Sequence, residues 1–260
     1  FHYRIENELG RGGMGIVYKA YDTKLQRTVA IKVIVGGMET EKKIQRFVRE
    51  AKVLGQLKHP NIVEIYEMGT DPLHYFVMEY IEGENLTSFL QKKKLALKNI
   101  IMIFYKIAQA IHYAHKADII HRDIKPANIL VDRSGNPKVM DFGLAKGSED
   151  VGLSCTGEVL GTPNYMSPEQ AENKNVDKRS DIYSLGATFY EVLCGRPVFQ
   201  GENAYSIMHQ IATEDPVRPS LLNHDIPKEI EAICMKCLEK NPAKRYLNAH
   251  SLSKDLQNFL

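Results

Sequence analysis

Three glycines near the start of the chain have a spacing that suits contact with phosphate groups. Residues 10–17 read G-R-G-G-M-G-I-V and match the pattern G-x-G-x-x-G-x-V. Glycines spaced in this way let backbone amides approach an anion closely, because no Cβ intervenes. Dinucleotide-binding turns and ordinary hairpins use the same residues, so the motif alone leaves the ligand open.

The residues after the glycines separate these alternatives. A dinucleotide-binding turn leads into a helix, whereas residues 16–20 are strand-like, which fits a flap that lays amides over phosphates. The next strand-like run ends near Lys32, whose ammonium can reach phosphate oxygens. Apolar residues then recur at helical spacing from Ile44 to Leu57, and Glu50 on this helix is the carboxylate expected to fix the Lys32 rotamer.

The densest group of functional side chains lies in the middle of the chain. Residues 121–128 read H-R-D-I-K-P-A-N, and residues 141–143 read D-F-G. With these motifs the sequence resembles the eukaryotic-type protein kinase family over essentially its whole length. Residues 165–171 (YMSPEQA) and 181–186 (DIYSLG) are most similar to the bacterial serine/threonine kinases of that family.

The resemblance implies a phosphoryl-transfer role for each of these side chains. Asp123 would orient or accept the proton of the attacking hydroxyl, and Lys125 would neutralise the γ-phosphate of ATP. Asn128 and Asp141 would supply oxygen ligands to Mg²⁺, with Mn²⁺ as a substitute. Transfer of this kind asks a protein mainly for positioning and charge stabilisation, which these residues and Lys32 can provide.

The resemblance also implies an ATP-binding set. Met78 matches the residue that gates the back pocket, and the backbone of Glu79 and Ile81 would bind adenine. The full expected set is Leu9, Gly10, Arg11, Gly12, Gly13, Met14, Gly15, Ile16, Val17, Ala30, Lys32, Met78, Glu79, Ile81, Asn128, Leu130 and Asp141.

The segment after residue 143 resembles the activation segment of the family. Serine/threonine preference is implied by Lys125 and by residues 161–165 (GTPNY). Arg122 matches kinases whose loop is ordered by a phosphate that pairs with arginine, which makes Thr156 first and then Ser154 the expected autophosphorylation sites. Glu169 should form a buried structural ion pair with Arg245.

The secondary structure expected to position these residues changes along the chain from mainly strands to mainly helices. Up to about residue 80 the pattern alternates strand-like runs with one helix, and beyond about residue 84 it is mainly helical. We therefore predict an α+β, bilobal protein-kinase fold in one domain spanning residues 1–260, with a small β-rich N-lobe to about residue 80. A hinge is expected near residues 79–84, and a larger α-helical C-lobe from about residue 85.

The composition restricts the possible partners and location of the chain but does not identify a reaction. The chain has 34 Lys and Arg residues and 32 Asp and Glu residues. This near balance gives no strong electrostatic field that would indicate binding to nucleic acid or to an acidic membrane. The four cysteines indicate no disulfide framework, and Cys234 and Cys237 fit a helical core better than half of a zinc site. No apolar run is long enough to span a bilayer, so this segment is expected to be cytoplasmic, with membrane anchorage possible only through segments outside it.

Two other functions compete with an active kinase. A pseudokinase scaffold usually lacks the lysine, the catalytic aspartate or the metal aspartate, and all three are present here. A small-molecule kinase would lack the loop from Gly161 to Glu169. The expected partners are therefore ATP, proteins bearing serine or threonine, and a second copy of the chain as a homodimer for autophosphorylation in trans.

Overall fold

The computed structural model describes residues 2–12, 15–35, 52, 54–70, 73–142 and 163–260. The chain forms two compact units, residues 1–83 and 84–260. The first unit is dominated by a sheet and the second by helices, so the predicted α+β class is confirmed. Each unit is described separately below.

The N-terminal unit contains one five-stranded antiparallel sheet in the order β1-β2-β3-β5-β4. One face is closed by a buried cluster of Ala20, Val29, Ile31 and Val77, drawn from β2, β3 and β5. In the central strands β3 and β5 the residues next to them, Ala30, Phe76 and Met78, are buried as well. The strands are β1 (Tyr3–Gly12), β2 (Gly15–Asp22), β3 (Arg27–Val33), β4 (Ile65–Gly69) and β5 (Tyr75–Glu79).

The turn between β2 and β3 is closed by a buried carboxylate. Asp22 Oδ1 accepts hydrogen bonds from the backbone N–H groups of Lys24 and Leu25, each at 3.0 Å. Such a side chain replaces the missing backbone partners of the turn. The register that follows sets Lys32 opposite Val17 on β2 and Phe76 on β5, so the lysine lies in the middle of the sheet.

Gly15, the first residue of β2, is the glycine that this sheet can least replace. Its φ is +142°, and a Cβ built there would overlap the carbonyl oxygen of Val33. We expect Gly15→Ala to destabilise the chain by about 1–3 kcal/mol, because strain and overlap act together. Chemical unfolding followed by circular dichroism measures the change.

Gly12→Ala is the matched control for that substitution. Gly12 lies opposite Gly15 in the β1–β2 ladder, yet a Cβ there would meet nothing within 4 Å. Its unfolding midpoint should therefore stay close to that of the unchanged chain. Equal losses in the two variants would contradict the account given for Gly15.

The C-terminal unit contains the helices and a small sheet of order β6-β7-β8. Its longest helix, α2, presents a continuous buried stripe that includes Ile101, Phe104, Ile107 and Ile111, at the three- and four-residue steps of an amphipathic helix. The strands are β6 (Gly83–Asn85), β7 (Ile129–Asp132) and β8 (Pro137–Val139). The α-helices are α1 (Leu86–Lys92), α2 (Leu97–Lys116), α3 (Pro168–Ala171), α4 (Lys178–Cys194), α5 (Ala204–Thr213), α6 (Pro219–Leu222), α7 (Lys228–Cys237) and α8 (Ala249–Phe259).

Several helices begin at a side chain that satisfies an otherwise unpaired backbone N–H. Asn85, Asp177, Asn203 and Asn248 accept from the first turn of α1, α4, α5 and α8. Helix α4 ends at Gly195 with a φ of +70°, in the left-handed region that favours glycine. Of these helices, α4 carries Asp181, which belongs to the site described next.

The interpretation of Cys234 and Cys237 as core residues is confirmed. Both lie on α7 and are buried, at 0% and 1% exposed. Burial raises the pKa of both thiols, which makes them inert packing groups. Within the described residues, no helix is long and apolar enough to cross a membrane.

Candidate active site

The loop between α2 and β7 carries most of the predicted catalytic residues, and a single carboxylate holds it in place. Asp181, fully buried in the first turn of α4, accepts the backbone N–H groups of His121 and Arg122, at 2.8 Å each. His115 on α2 contributes a third contact, with Nε2 2.7 Å from Asp181 Oδ2. Asp181 therefore anchors the loop, and three hydrogen bonds meet at its side chain.

Arg122 shows how firmly this loop is held. Its φ is +64°, a left-handed conformation that costs free energy for a residue with a Cβ and persists only where the surroundings enforce it. Besides the bond from its N–H to Asp181, its carbonyl oxygen accepts Nε2 of Gln170 at 2.9 Å. The loop is thus fixed from both sides of this residue.

The Asp123 carboxylate contacts two donor side chains, which belong to the residues two and five positions later in the chain. Lys125 Nζ is 2.9 Å from Asp123 Oδ2, and Asn128 Nδ2 donates to the same oxygen at 2.9 Å. Asn128 Nδ2 also donates to the Asp123 carbonyl oxygen at 2.8 Å. The three residues therefore form one connected group, with Asp123 Oδ2 at its centre.

His121 connects this group to the aspartate of the D-F-G motif. Its Nδ1 accepts the Asp123 N–H at 3.2 Å, so the proton of the neutral ring lies on Nε2 and is donated to the Met140 carbonyl at 3.0 Å. Burial lowers the pKa of His121, which favours this neutral form. The ring also packs on Phe142, with centroids 4.5 Å apart.

Asn128 and Asp141 can serve as oxygen ligands. The Asn128 amide nitrogen is committed to Asp123, which leaves Oδ1 as its acceptor atom, and the Asn128 carbonyl accepts the Met140 N–H at 2.9 Å. Asp141 follows directly, with a φ of +57°. An amide and a carboxylate oxygen suit a hard divalent cation that keeps waters and phosphates as its other ligands. The residues therefore fit such an ion.

The N-terminal unit holds the residues predicted to contact the nucleotide. On the sheet, Lys32 and Val17 are half-buried, and Ala30 is opposite Met78, with both side chains buried. Leu9 lies on β1 and is 45% exposed, while Glu79 donates its N–H to the Glu64 carbonyl at 2.9 Å. Gly13, Met14 and Glu50 lie outside the described residues. Leu130 belongs to β7 of the other unit and is half-buried.

The predicted ion pair of Glu169 and Arg245 is confirmed as a buried, bidentate pair. Arg245 donates to the two Glu169 oxygens at 2.7 and 2.8 Å, and its other N–H groups bind the carbonyls of Arg179, Glu239 and Lys240. Ser180 Oγ donates to Glu169 as well. Burial alone would raise the pKa of Glu169, but the hydrogen bonds from Arg245 and Ser180 lower it below its usual value.

The end of the activation segment is held by hydrogen bonds at the start of α3 and to α4. Ser167 begins α3 with a capping box, in which its hydroxyl and the Gln170 side chain bind each other's backbone N–H groups. Tyr165 donates its hydroxyl to Glu191 on α4 at 2.5 Å. Thr156 and Ser154 lie outside the described residues.

Two residues that contact the catalytic loop were not predicted from the sequence. His115 binds Asp181 across 66 residues, and Gln170 binds Arg122 across 48. The S-P-E-Q spelling of residues 167–170 signals a capping box, so Gln170 could have been singled out as a cap. His115 has no such signal, because an isolated histidine on the apolar side of a helix is usually a core residue.

Comparison with known proteins defines the class to which this fold and site belong. Residues 3–256 match the protein kinase domain family, and the chain belongs to that family. A probable serine/threonine-protein kinase of Streptomyces coelicolor is 41% identical over 267 residues, which cover 99% of this chain and 40% of the relative. The serine/threonine-protein kinase PknB of Mycobacterium tuberculosis is 40% identical over 263 residues, or 98% of this chain and 42% of PknB.

These relatives confirm the predicted similarity to bacterial kinases. A further one, a probable serine/threonine-protein kinase of Clostridium acetobutylicum, is 40% identical over 259 residues. The chain spans about two fifths of the length of the curated relatives that it matches. Membership of the family implies use of ATP together with a divalent metal.

Proposed function

We propose that the chain transfers the γ-phosphate of ATP to serine and threonine hydroxyls of proteins, including those of its own activation loop. The observation that carries the proposal is the Asp123 carboxylate, held at 2.9 Å by both Lys125 and Asn128 on a loop fixed to Asp181. A carboxylate in a fixed orientation beside a cation is what in-line attack on a phosphate requires. The names of the relatives support the same activity.

Each residue of this group has a distinct task. Asp123 orients the attacking hydroxyl and takes its proton as the new bond forms. Lys125, already paired with Asp123, offers its charge to the γ-phosphate oxygens during transfer. His121 keeps the loop in register through its bonds to Asp123 N–H and the Met140 carbonyl.

The nucleotide and its metal are assigned to residues of both units. Asn128 and Asp141 would hold Mg²⁺, with Mn²⁺ as a substitute, and the ion would neutralise phosphate charge. Lys32, which Glu50 would orient, would bind phosphate oxygens, and the glycines of residues 10–15 would supply amides. The proposed adenine contacts are Leu9, Val17, Ala30, Met78, Glu79, Ile81 and Leu130.

The proposed function includes regulation by autophosphorylation, assembly as a homodimer and a cytoplasmic location. Thr156, and after it Ser154, are the proposed autophosphorylation sites, with the phosphate paired to Arg122. Transfer between two copies of the chain in a homodimer would deliver that phosphate. We propose residues 1–260 as a single kinase domain, with a hinge near 79–84, acting in the cytoplasm.

Metal-dependent phosphate incorporation tests the proposal. The chain is incubated with labelled ATP and a generic protein, with Mg²⁺ or with a chelator, and phosphoamino acids are then separated. We expect label on serine and threonine in the Mg²⁺ sample and none after chelation, because phosphate charge is then not neutralised. Label on tyrosine alone, or incorporation that persists in chelator, would refute the proposed function.

A further inference from the structure

We propose that His112 and His250 form a binding site for a divalent transition-metal ion of the Zn²⁺ or Ni²⁺ type, which links α2 to α8. His112 lies near the end of α2, and His250 is the second residue of α8. Their ring centroids are 5.2 Å apart, at an interplanar angle of 36°. Both helices belong to the C-terminal unit, and neither histidine is assigned a task in phosphoryl transfer.

The spacing of the rings suits shared ligation. Zn²⁺ holds imidazole nitrogens at about 2.0–2.1 Å, so two imidazoles on one tetrahedral ion have ring centroids about 5 Å apart. The observed separation of 5.2 Å is therefore close to the value for two ligands of one ion. Imidazole is also a preferred ligand of Zn²⁺, Ni²⁺ and Cu²⁺.

One ring nitrogen of the pair has no hydrogen-bond partner in the described part of the chain. Within the described residues, His112 Nδ1 is buried and has no hydrogen-bond partner. Buried polar atoms of this kind are uncommon in folded proteins, and an ion or water usually accounts for them. Because His250 is exposed, the open side of the pair can be reached from solvent.

The surroundings keep His112 in the form that binds metal. Burial lowers its pKa, and His250, His115, Lys116 and Lys178 lower it further. Only neutral imidazole offers a lone pair to an ion, so this lowered pKa favours the metal-binding form of His112. Lys178, one of these cations, is paired with Asp118, with Nζ 2.7 Å from Oδ1.

Water must supply the remaining ligands. Within the described ranges, no group of three or more His, Cys, Asp or Glu could hold an ion, so the protein contributes two ligands here. Such a site stabilises the contact between α2 and α8 without changing the chemistry at Asp123. It is also distinct from the pair Asn128 and Asp141, whose oxygen atoms suit a harder ion.

Calorimetric titration of the metal-free chain with Zn²⁺, and separately with Ni²⁺, tests the proposal in the absence of nucleotide. We expect one equivalent to bind and the thermal midpoint to rise on binding. In His112→Gln and His250→Gln the affinity should fall about tenfold or more, because one ligand remains. Binding should also weaken on acidification, because imidazole that takes up a proton no longer offers a lone pair to the ion.

His224→Gln is the control, because His224 is exposed and lies on a different part of the same unit. It should bind the ion as the unchanged chain does. His250 is exposed, so its substitution is expected to leave the fold intact, and the metal-free thermal midpoint checks this. An affinity that is unchanged in His250→Gln, or lost equally in His224→Gln, overturns the proposal, as does the absence of binding to the unchanged chain.

Discussion

Asp123→Asn lowers the rate of phosphate transfer by about 10²–10⁴-fold, while the chain remains folded and still binds ATP. Asparagine has nearly the same size as aspartate, but it has no negative charge and does not accept a proton at neutral pH. In the structure the Asp123 Oδ2 receives donors from Lys125 and Asn128, at 2.9 Å each. The variant therefore keeps most of the shape of the group but loses the negative charge and the ability to accept a proton.

Single-turnover phosphate transfer to a generic protein substrate measures the effect. Asp225→Asn makes the same chemical change at an exposed position of the same unit and should retain full activity. ATP affinity, measured separately, should differ little between the two variants. A loss of less than tenfold in Asp123→Asn would remove this residue from the role of base.

Arg245→Ala destabilises the chain by about 3–5 kcal/mol, which is the largest expected effect on folding. The Arg245 side chain is fully buried and its five N–H groups have five acceptors, two of them on Glu169. Removing it leaves a buried carboxylate with no cation beside it and takes one donor from each of three carbonyl groups. Loss of one member of such a pair costs far more than the pair contributes relative to apolar residues.

Helical circular dichroism during chemical unfolding provides the measurement, since the chain has no tryptophan and its described helices lie mostly in the C-terminal unit. Arg179→Ala is the control, because Arg179 forms a partly exposed pair with Asp177, and it should cost about 0–1 kcal/mol. The double variant Glu169→Gln with Arg245→Met should be more stable than Arg245→Ala, because no unpaired charge remains. Equal destabilisation by Arg245→Ala and Arg179→Ala would contradict the assignment.

The sequence predicts elements where a local pattern is strong and misses them where the cause is remote. Beyond about residue 84 the pattern predicts mainly helix, and the structure has α2 at Leu97–Lys116. In the strand-like part before residue 80, β4 begins only at Ile65, because the chain first turns, with the Ile62 N–H bound to the His59 carbonyl. The polar run from Glu82 to Asn85 contains the short strand β6, and the hinge expected near residues 79–84 stays a prediction.

In the candidate site, too, local motifs were predicted from the sequence and contacts between distant residues were missed. Motif spelling singled out Asp123, Lys125 and Asn128, because residues two and five positions apart can meet within one loop. No local signal relates His115 to Asp181, since their contact exists only after α2 and α4 have packed. The pair of His112 and His250 was missed for the same reason, because 138 positions of the chain separate the two residues and only packing brings them together.

The attachment of the catalytic loop to Asp181 also bears on how such a domain can change its task during evolution. Asp181 binds the loop through the main-chain N–H groups of His121 and Arg122, which every residue except proline supplies. The position of the loop is therefore separable from the identity of the side chains at 123, 125 and 128. A lineage can exchange those side chains, lose turnover and keep an intact platform for binding partners, so signalling scaffolds lie only one substitution away from an enzyme of this kind.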